Sequence, residues 1–186
     1  IEGGMLTFKE DGLKITFDYL KNFGFKNETE VVMPGTNAKM NEFQALMGMQ
    51  VLKHLDGIIE HSRKIDAVYR EQLKDIPGIK FPPSFPDNIS YNYAYEPVEI
   101  IEEQYGMNRD ALYNKLKEYN IYSRRYFYPL LCEYSCYKSL VENDPLVISR
   151  QVSKRILTLP IYDSLALNDV EMICKIINYI HKEVTK

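Results

Sequence analysis

The sequence has no tryptophan, only three cysteines and no long apolar run. Lacking a stretch of about 18 to 20 apolar residues, it offers no candidate membrane-spanning helix. Cys132, Cys136 and Cys174 are odd in number and contain no CxxC pair. That argues against a disulfide framework or a zinc knuckle and for reduced thiols in a cytoplasmic protein. Charge of one sign is also missing. The 23 basic and 26 acidic residues leave a net charge of −3, too little to draw the chain to nucleic acid or an anionic membrane. No secretory leader, P-loop, GxGxxG turn, HExxH helix or Ser-His-Asp set can be assembled. His54 and His61 lie seven residues apart on one predicted helix, about 10 Å along its axis. That is too far for one zinc ion. His181 falls on the apolar face of the last predicted helix, so no metal site is expected.

What is present is an ordinary globular composition: 45% hydrophobic and 26% charged residues over 186 positions. This suits one domain, or one domain plus a fragment, with a sizeable core. Tyrosine is abundant at 15; its flat ring and polar tip serve cores, interfaces and sugar sites alike. The chain opens on Ile1 and is read as starting inside a longer protein.

Residues 3–8, GGMLTF, read as a short buried strand. Asp11 opens a helix whose Leu13, Phe17 and Leu20 share a face, with Gly24 as its stop. A loop follows to Asn37. From Asn41 to Ile76 there is no proline, and apolar residues recur at three- and four-residue steps between charges. The pattern predicts one long helix, bent near Gly57 or linking two lobes, and ended by Pro77-Gly78. Ile79–Phe81 is a strand candidate, and Tyr91, Tyr93 and Tyr95 alternate with polar residues into Val98 and Ile100 as a second. Asn108 caps a helix from Arg109. Residues 121–128 form a further strand. Asp144-Pro145 opens a helix through Ile156, with 157–161 extended. Asn168 and Glu171 resemble a capping box for a last helix burying Val170, Ile173, Cys174, Ile177 and Ile180. This mixed order predicts an antiparallel or mixed sheet of about three strands with helices on one side.

Three motifs could carry chemistry, each beside a plainer reading. EGGM at 2–5 lets backbone approach a ligand or another chain, or is only a strand-entry turn. In PGTNAKMNEFQA at 34–45, Asn37 and Lys39 precede a helix. An amide donor and an ammonium beside free helix N–H groups suit a phosphate; alternatively Asn37 or Asn41 merely caps. SRRYFYP at 123–129 sends Arg125 and Phe127 to one face of a strand and Arg124, Tyr126 and Tyr128 to the other. Arginine forks bind phosphate and tyrosines donate to sugar oxygens, or the strand is simply half-exposed with arginine packed on rings.

Taken in order, EGGM at 2–5, FGF at 23–25, GTNAKMNEFQALMG at 35–48, LKHLDGIIEHSRKIDAVYREQL at 52–73, YFYPL at 126–130 and SKRILTLPIYDSL at 153–165 resemble the DegT/DnrJ/EryC1/StrS aminotransferases. These make amino sugars on nucleotide carriers. The NFGF and KMNEFQA wording resembles the branch acting on dTDP-4-keto-6-deoxyhexoses. The resemblance implies the C-terminal portion of a type I transferase of the α/β class that uses pyridoxal 5'-phosphate. It implies a short, mainly antiparallel sheet with helices packed on it, a homodimer with its active site at the subunit interface, and glutamate as amino donor. It implies residues 1–40 as the remnant of the large cofactor-binding domain, 41–78 as a linking helix and 79–186 as the small C-terminal domain. The family's cofactor lysine would lie upstream of Ile1, so no catalytic residue is assigned and the chain alone is expected to be inactive. By the same resemblance Asn37 reaches the cofactor phosphate of the neighbouring subunit, and Lys39 is the adjacent basic position. Tyr126 lies near the sugar nucleotide, Arg125 near its diphosphate, and Tyr91 and Tyr93 line the site. The expected role is in cytoplasmic polysaccharide, O-antigen or lipopolysaccharide synthesis. A non-catalytic scaffold and a sugar dehydratase of the same fold are the alternatives; neither the sugar nor the aminated carbon is specified.

Overall fold

In a computed structural model, described over residues 2–86, 88–137 and 145–186, the chain divides into two units, 1–56 and 57–186. The first holds helices α1 (Leu13–Leu20) and α2 (Glu42–Leu52) and two isolated bridges, Asn22 with Asn37 and Phe25 with Val31. α2 is well started: Asn41 Oδ1 accepts from Gln44 N at 2.9 Å while Gln44 Oε1 accepts from Asn41 N at 3.0 Å. This reciprocal box satisfies two otherwise orphaned donors. Residues 3–8 form no strand. They are exposed, Met5 at 75% and Leu6 at 69%, because no described segment pairs with them. An apolar run without a ladder partner leaves its backbone groups to water.

The expected continuous helix over 41–76 is two helices, α2 and α3 (Leu55–Leu73). The interruption is at Lys53–His54, where Lys53 N and His54 N bond three residues back, to Gln50 O and Val51 O. Such a tightened turn ends the i−4 ladder. Gly57 lies inside α3 and is the first residue of the second unit.

The second unit is built on a fully antiparallel sheet of four strands rather than three, ordered β1 (Ile79–Lys80), β2 (Glu96–Ile100), β4 (Ile156–Leu159) and β3 (Arg124–Arg125). Val98 faces Leu157 and Glu96 faces Leu159 across the central pair. One face carries Val98, Ile100, Leu157 and Leu159 into a single core. α3 adds Ile65, Tyr69 and Leu73; α5 (Arg109–Lys117) adds Leu112 and Leu116; α7 (Leu167–Val184) adds Val170, Ile173, Ile177 and Ile180. Tyr105, on the short α4 (Glu102–Tyr105), is buried and donates to Ile177 O at 2.8 Å. Helix α6 (Val147–Arg155) runs directly into β4.

Several expected boundaries move for local reasons. The alternating tyrosines 91–95 are not strand: Asn92 Oδ1 accepts from Ala94 N at 3.2 Å and Tyr93 takes φ of +50°. An Asx turn of this kind competes with the ladder. The predicted strand 121–128 pairs only at Arg124–Arg125, since Phe127 sits at φ +44°, so the two-faced alternation stops there. Asn108 does cap α5, accepting from Ala111 N at 2.9 Å. Asn168 does not cap α7, which starts two residues earlier than that cap would place it, at Leu167 behind Ala166 with no side-chain bond. α6 begins at Val147, two residues beyond Pro145, and ends at Arg155; Asp144 lies outside the described residues.

Candidate functional site

In the first unit the loop carrying Asn37 and Lys39 is laid against the end of α1. Phe23 N donates to Thr36 O, Thr36 N to Leu20 O and Ala38 N to Lys21 O, at 2.8 to 3.1 Å. The approach is close enough to require glycine twice. A Cβ on Gly35 would meet Gly24 N at 2.4 Å. One on Gly24, itself at φ +82°, would meet Met33 O at 1.7 Å. Asn41 is the cap of α2, so Asn37 is not; its exposed amide has no hydrogen-bond partner among the described residues. Lys39 Nζ donates to Asn22 Oδ1 at 3.1 Å and lies 4.7 Å from the Phe23 ring centre. The loop therefore holds one free amide and one ammonium on an anchored backbone. EGGM is tied to α2, the helix after this loop: Gln44 Nε2 donates to Glu2 O at 2.7 Å.

In the second unit β3 and the turn after it line a cleft of about 240 Å³ with Tyr95, Arg124, Arg125, Tyr126, Phe127 and Thr158. The rings cluster: Tyr95 to Tyr126 is 5.1 Å between centres and Tyr126 to Phe127 is 4.6 Å. Arg125 and Tyr126, placed on opposite faces by the alternation, both line this one cleft. Tyr91 and Tyr93 instead meet edge to face, 4.9 Å between ring centres, with Phe85 stacked on Tyr91 at 4.3 Å. Burial raises the Tyr91 hydroxyl above its ordinary pKa, with the Glu96 charge next.

The two adjacent arginines differ in what they are free to bind. Arg125 Nη1 reaches Asp110 at 3.5 Å, and its guanidinium lies over the rings of Tyr113 and Tyr128 at 5.0 and 5.3 Å. Arg124 is exposed, and its guanidinium makes no ion pair among the described residues. It lines both this cleft and an adjoining one of about 320 Å³ that adds Ala94, Tyr122, Ile161 and Tyr162. Behind them Arg109, 1% exposed, donates to Ile156 O at 2.8 Å, stands 2.9 Å from Asp110 Oδ1 and lies over Tyr128 at 4.7 Å. Its burial lowers its pKa against the pull of Asp110. Sequence reasoning missed Arg109, Asp110, Tyr95 and the freer role of Arg124. Asn108 marks the helix start that carries the first two, but nothing local says that they turn toward β3.

His61 Nε2 lies 2.9 Å from Leu165 O and His181 Nδ1 3.0 Å from Tyr105 O. Each is held by a backbone carbonyl. Cys132, Cys136 and Cys174 are free thiols, and burial pushes Cys174 up to about 12.

Residues 1–178 match the DegT/DnrJ/EryC1/StrS aminotransferase family. The dTDP-4-amino-4,6-dideoxy-D-glucose transaminase of Escherichia coli is 41% identical over 180 residues, 95% of this chain and 47% of its own length. The enzyme of the same name from Shigella dysenteriae is 35% identical over 96% of this chain and 48% of its own. The crystal structure of DesI in the presence of its TDP-sugar product superposes with a TM-score of 0.81 at 30% identity, over 92% of this chain and 43% of that one. The chain spans about half the length of the curated relatives it matches. With the match running through both units, the chain belongs to the DegT/DnrJ/EryC1/StrS family of aminotransferases.

Proposed function

We propose that these 186 residues are the C-terminal portion of a sugar-nucleotide aminotransferase that moves an amino group from glutamate to a dTDP-4-keto-6-deoxyhexose. The observation that carries this reading is the 41% identity to the E. coli transaminase over nearly the whole chain. The domain reading goes with it: residues 1–40 belong to the large domain, 41–78 link, and 79–186 are the small domain. Pyridoxal 5'-phosphate is the family's cofactor, and bound to such an enzyme it serves as the electron sink for amino transfer.

The residues present fit its phosphate. Asn37 offers an unpaired amide and Lys39 a cation on a loop already fixed by three backbone hydrogen bonds, so little ordering is left to oppose binding. In the second unit Tyr126 and Tyr95 supply flat donors for a sugar ring. Arg125, with Arg124 more exposed beside it, supplies charge for a diphosphate, an acceptor that arginine forks suit. Tyr91 and Tyr93 border that side. Asn37 and Lys39 are only two contacts to a coenzyme, too few to hold it productively, so the 186 residues alone do not turn over. We place the complete enzyme in the cytoplasm as a homodimer, in surface-polysaccharide synthesis. Among the described residues no helix is long and apolar enough to cross a membrane.

The test is turnover by the complete polypeptide, supplied with pyridoxal phosphate, glutamate and dTDP-4-keto-6-deoxyglucose, with the product read by mass spectrometry. A 4-amino sugar nucleotide is expected, and Asn37→Ala weakens coenzyme binding about tenfold, as for loss of one charge-assisted hydrogen bond. Absence of any amino sugar from a coenzyme-loaded preparation overturns the assignment.

A further inference from the structure

The first two residues of α5 meet the end of β3 and the turn after it. Arg109 is fixed deep in the fold. Its side chain is 1% exposed, Nη1 donates to Ile156 O at 2.8 Å, and the guanidinium lies 4.7 Å from the Tyr128 ring centre. Its Nε stands 2.9 Å from Asp110 Oδ1 but, although buried, makes no hydrogen bond. The pairing with Asp110 is therefore one of charge, which a buried guanidinium needs.

Asp110, half-exposed, serves a second cation through the same oxygen. Arg125 Nη1 donates to Oδ1 at 3.5 Å. The Arg125 guanidinium also lies over two rings, Tyr113 at 5.0 Å and Tyr128 at 5.3 Å. Lys117, one turn along α5 from Tyr113, has its Nζ 4.0 Å from the same ring centre. Cations and rings thus alternate from Lys117 through Tyr113, Arg125 and Tyr128 to Arg109, with the Asp110 carboxylate against both arginines.

Two guanidiniums at one ring repel each other, and the carboxylate oxygen they share offsets that repulsion. Each ring adds a cation–π attraction. Arg125 nevertheless keeps 40% of its side chain exposed and lines the cleft of about 240 Å³ beside Tyr95 and Tyr126. Asp110 takes one of its donors, and the rest of the fork suits a phosphate. A side chain held in advance in this way gives up little freedom when a ligand arrives.

We propose that Asp110, itself held by the buried Arg109, is a positioning residue that presents the Arg125 fork to the diphosphate of a sugar nucleotide in this cleft. It acts through Arg125 and not on the ligand. Without its charge the two guanidiniums at Tyr128 are no longer compensated, Arg125 swings out, and the fork must be ordered again at each binding event. The inference rests on that part of the proposed function which places the diphosphate in this cleft.

The experiment is titration calorimetry of dTDP into the complete polypeptide loaded with pyridoxal phosphate, for wild type, Asp110→Asn, Arg125→Ala and the double variant. Asp110→Asn keeps the shape of the side chain and removes its charge. It should weaken dTDP about fivefold, and Arg125→Ala about tenfold, the scale of one lost charge-assisted contact. In the Arg125→Ala background Asp110→Asn should change binding by less than about twofold, because a residue acting through another loses its effect once the other is gone. An equal loss in both backgrounds marks a general effect on the fold and overturns the proposal. Tighter binding in Asp110→Asn overturns it as well, since Asp110 would then compete with the phosphate for Arg125. Wild-type affinity in Arg125→Ala overturns it whether or not Asp110→Asn folds. Amino-sugar formation by the same wild-type preparation tests the transaminase reading separately. Coupled dTDP binding without amino sugar removes that reading and leaves Asp110 its role, and amino sugar without the coupling does the reverse.

Discussion

At the scale of single residues the second unit stores polar groups where the sequence suggests none. Glu96 reads as one of the polar positions of a half-exposed strand, yet it faces inward beside Val98 and Ile100. Its unfolded pKa is ordinary and its folded pKa is raised, so the folded state holds a proton that the unfolded chain releases. Stability from this group is whole below about pH 4.5 and declines as pH rises to about 8. Glu96→Gln keeps a neutral side chain of the same shape and removes the titration. It should therefore stabilise the chain at pH 7, by something on the order of 3 kcal/mol at most, and make no difference near pH 4. Urea unfolding at the two pH values checks this; a variant less stable than the wild type at pH 7 would contradict it. Arg109 illustrates the same point. It is the first residue of α5, a position that usually favours acids, but its guanidinium is spent on Ile156 O and the Tyr128 ring. Only the tertiary fold reveals that.

At the scale of elements, legibility followed periodicity. α3 and α7 show their buried faces in the sequence because a 3.6-residue apolar stripe has one structural solution, and Ile65, Tyr69, Leu73, Ile173 and Ile177 are all buried as such a stripe requires. Short strands were less legible. A two-residue strand such as β3 has no period to read, and the tyrosine alternation at 91–95 was overruled by one asparagine side chain. Caps divide the same way. Asn108 and Asn168 both precede apolar helical runs, but only Asn108 accepts a backbone N–H. Asn108→Ala should cost about 1 kcal/mol, whereas Asn168→Ala should stay within about 0.5 kcal/mol of wild type. Thermal unfolding of the pair separates them, and equal losses would show that the helix start is misplaced. The phosphate-type loop was legible as a motif. Which of its asparagines is free was not, because both Asn37 and Asn41 are competent caps until Gln44 closes the box on Asn41.

At the scale of the whole molecule the two units differ in how they treat apolar surface. The second has a continuous core. The first, with two helices and many apolar residues, has no buried helical residue at all. α2, EFQALMGMQVL, is apolar on every side, yet exposes Phe43 at 81%, Met49 at 62% and Leu46 at 53%. A helix without a polar face is ordinarily an interior one, and a contiguous apolar patch of this kind marks a surface that another surface covers. The proposed homodimer and the remainder of the enzyme would supply that cover. For the isolated chain the consequence is self-association: at roughly 25 cal/mol per Å² of buried apolar area, the exposed side chains of one helix give ample driving force. Sedimentation of the 186-residue chain should therefore show oligomers at micromolar concentration. Phe43→Glu combined with Met47→Glu should shift it toward monomer while leaving the far-ultraviolet circular dichroism of the second unit's helices in place. A chain that stays monomeric as wild type, or oligomers that persist unchanged in the double variant, would remove α2 as the surface involved. In the second unit, by contrast, a set of apolar side chains closes into a buried core through β2, β4, α3, α5 and α7.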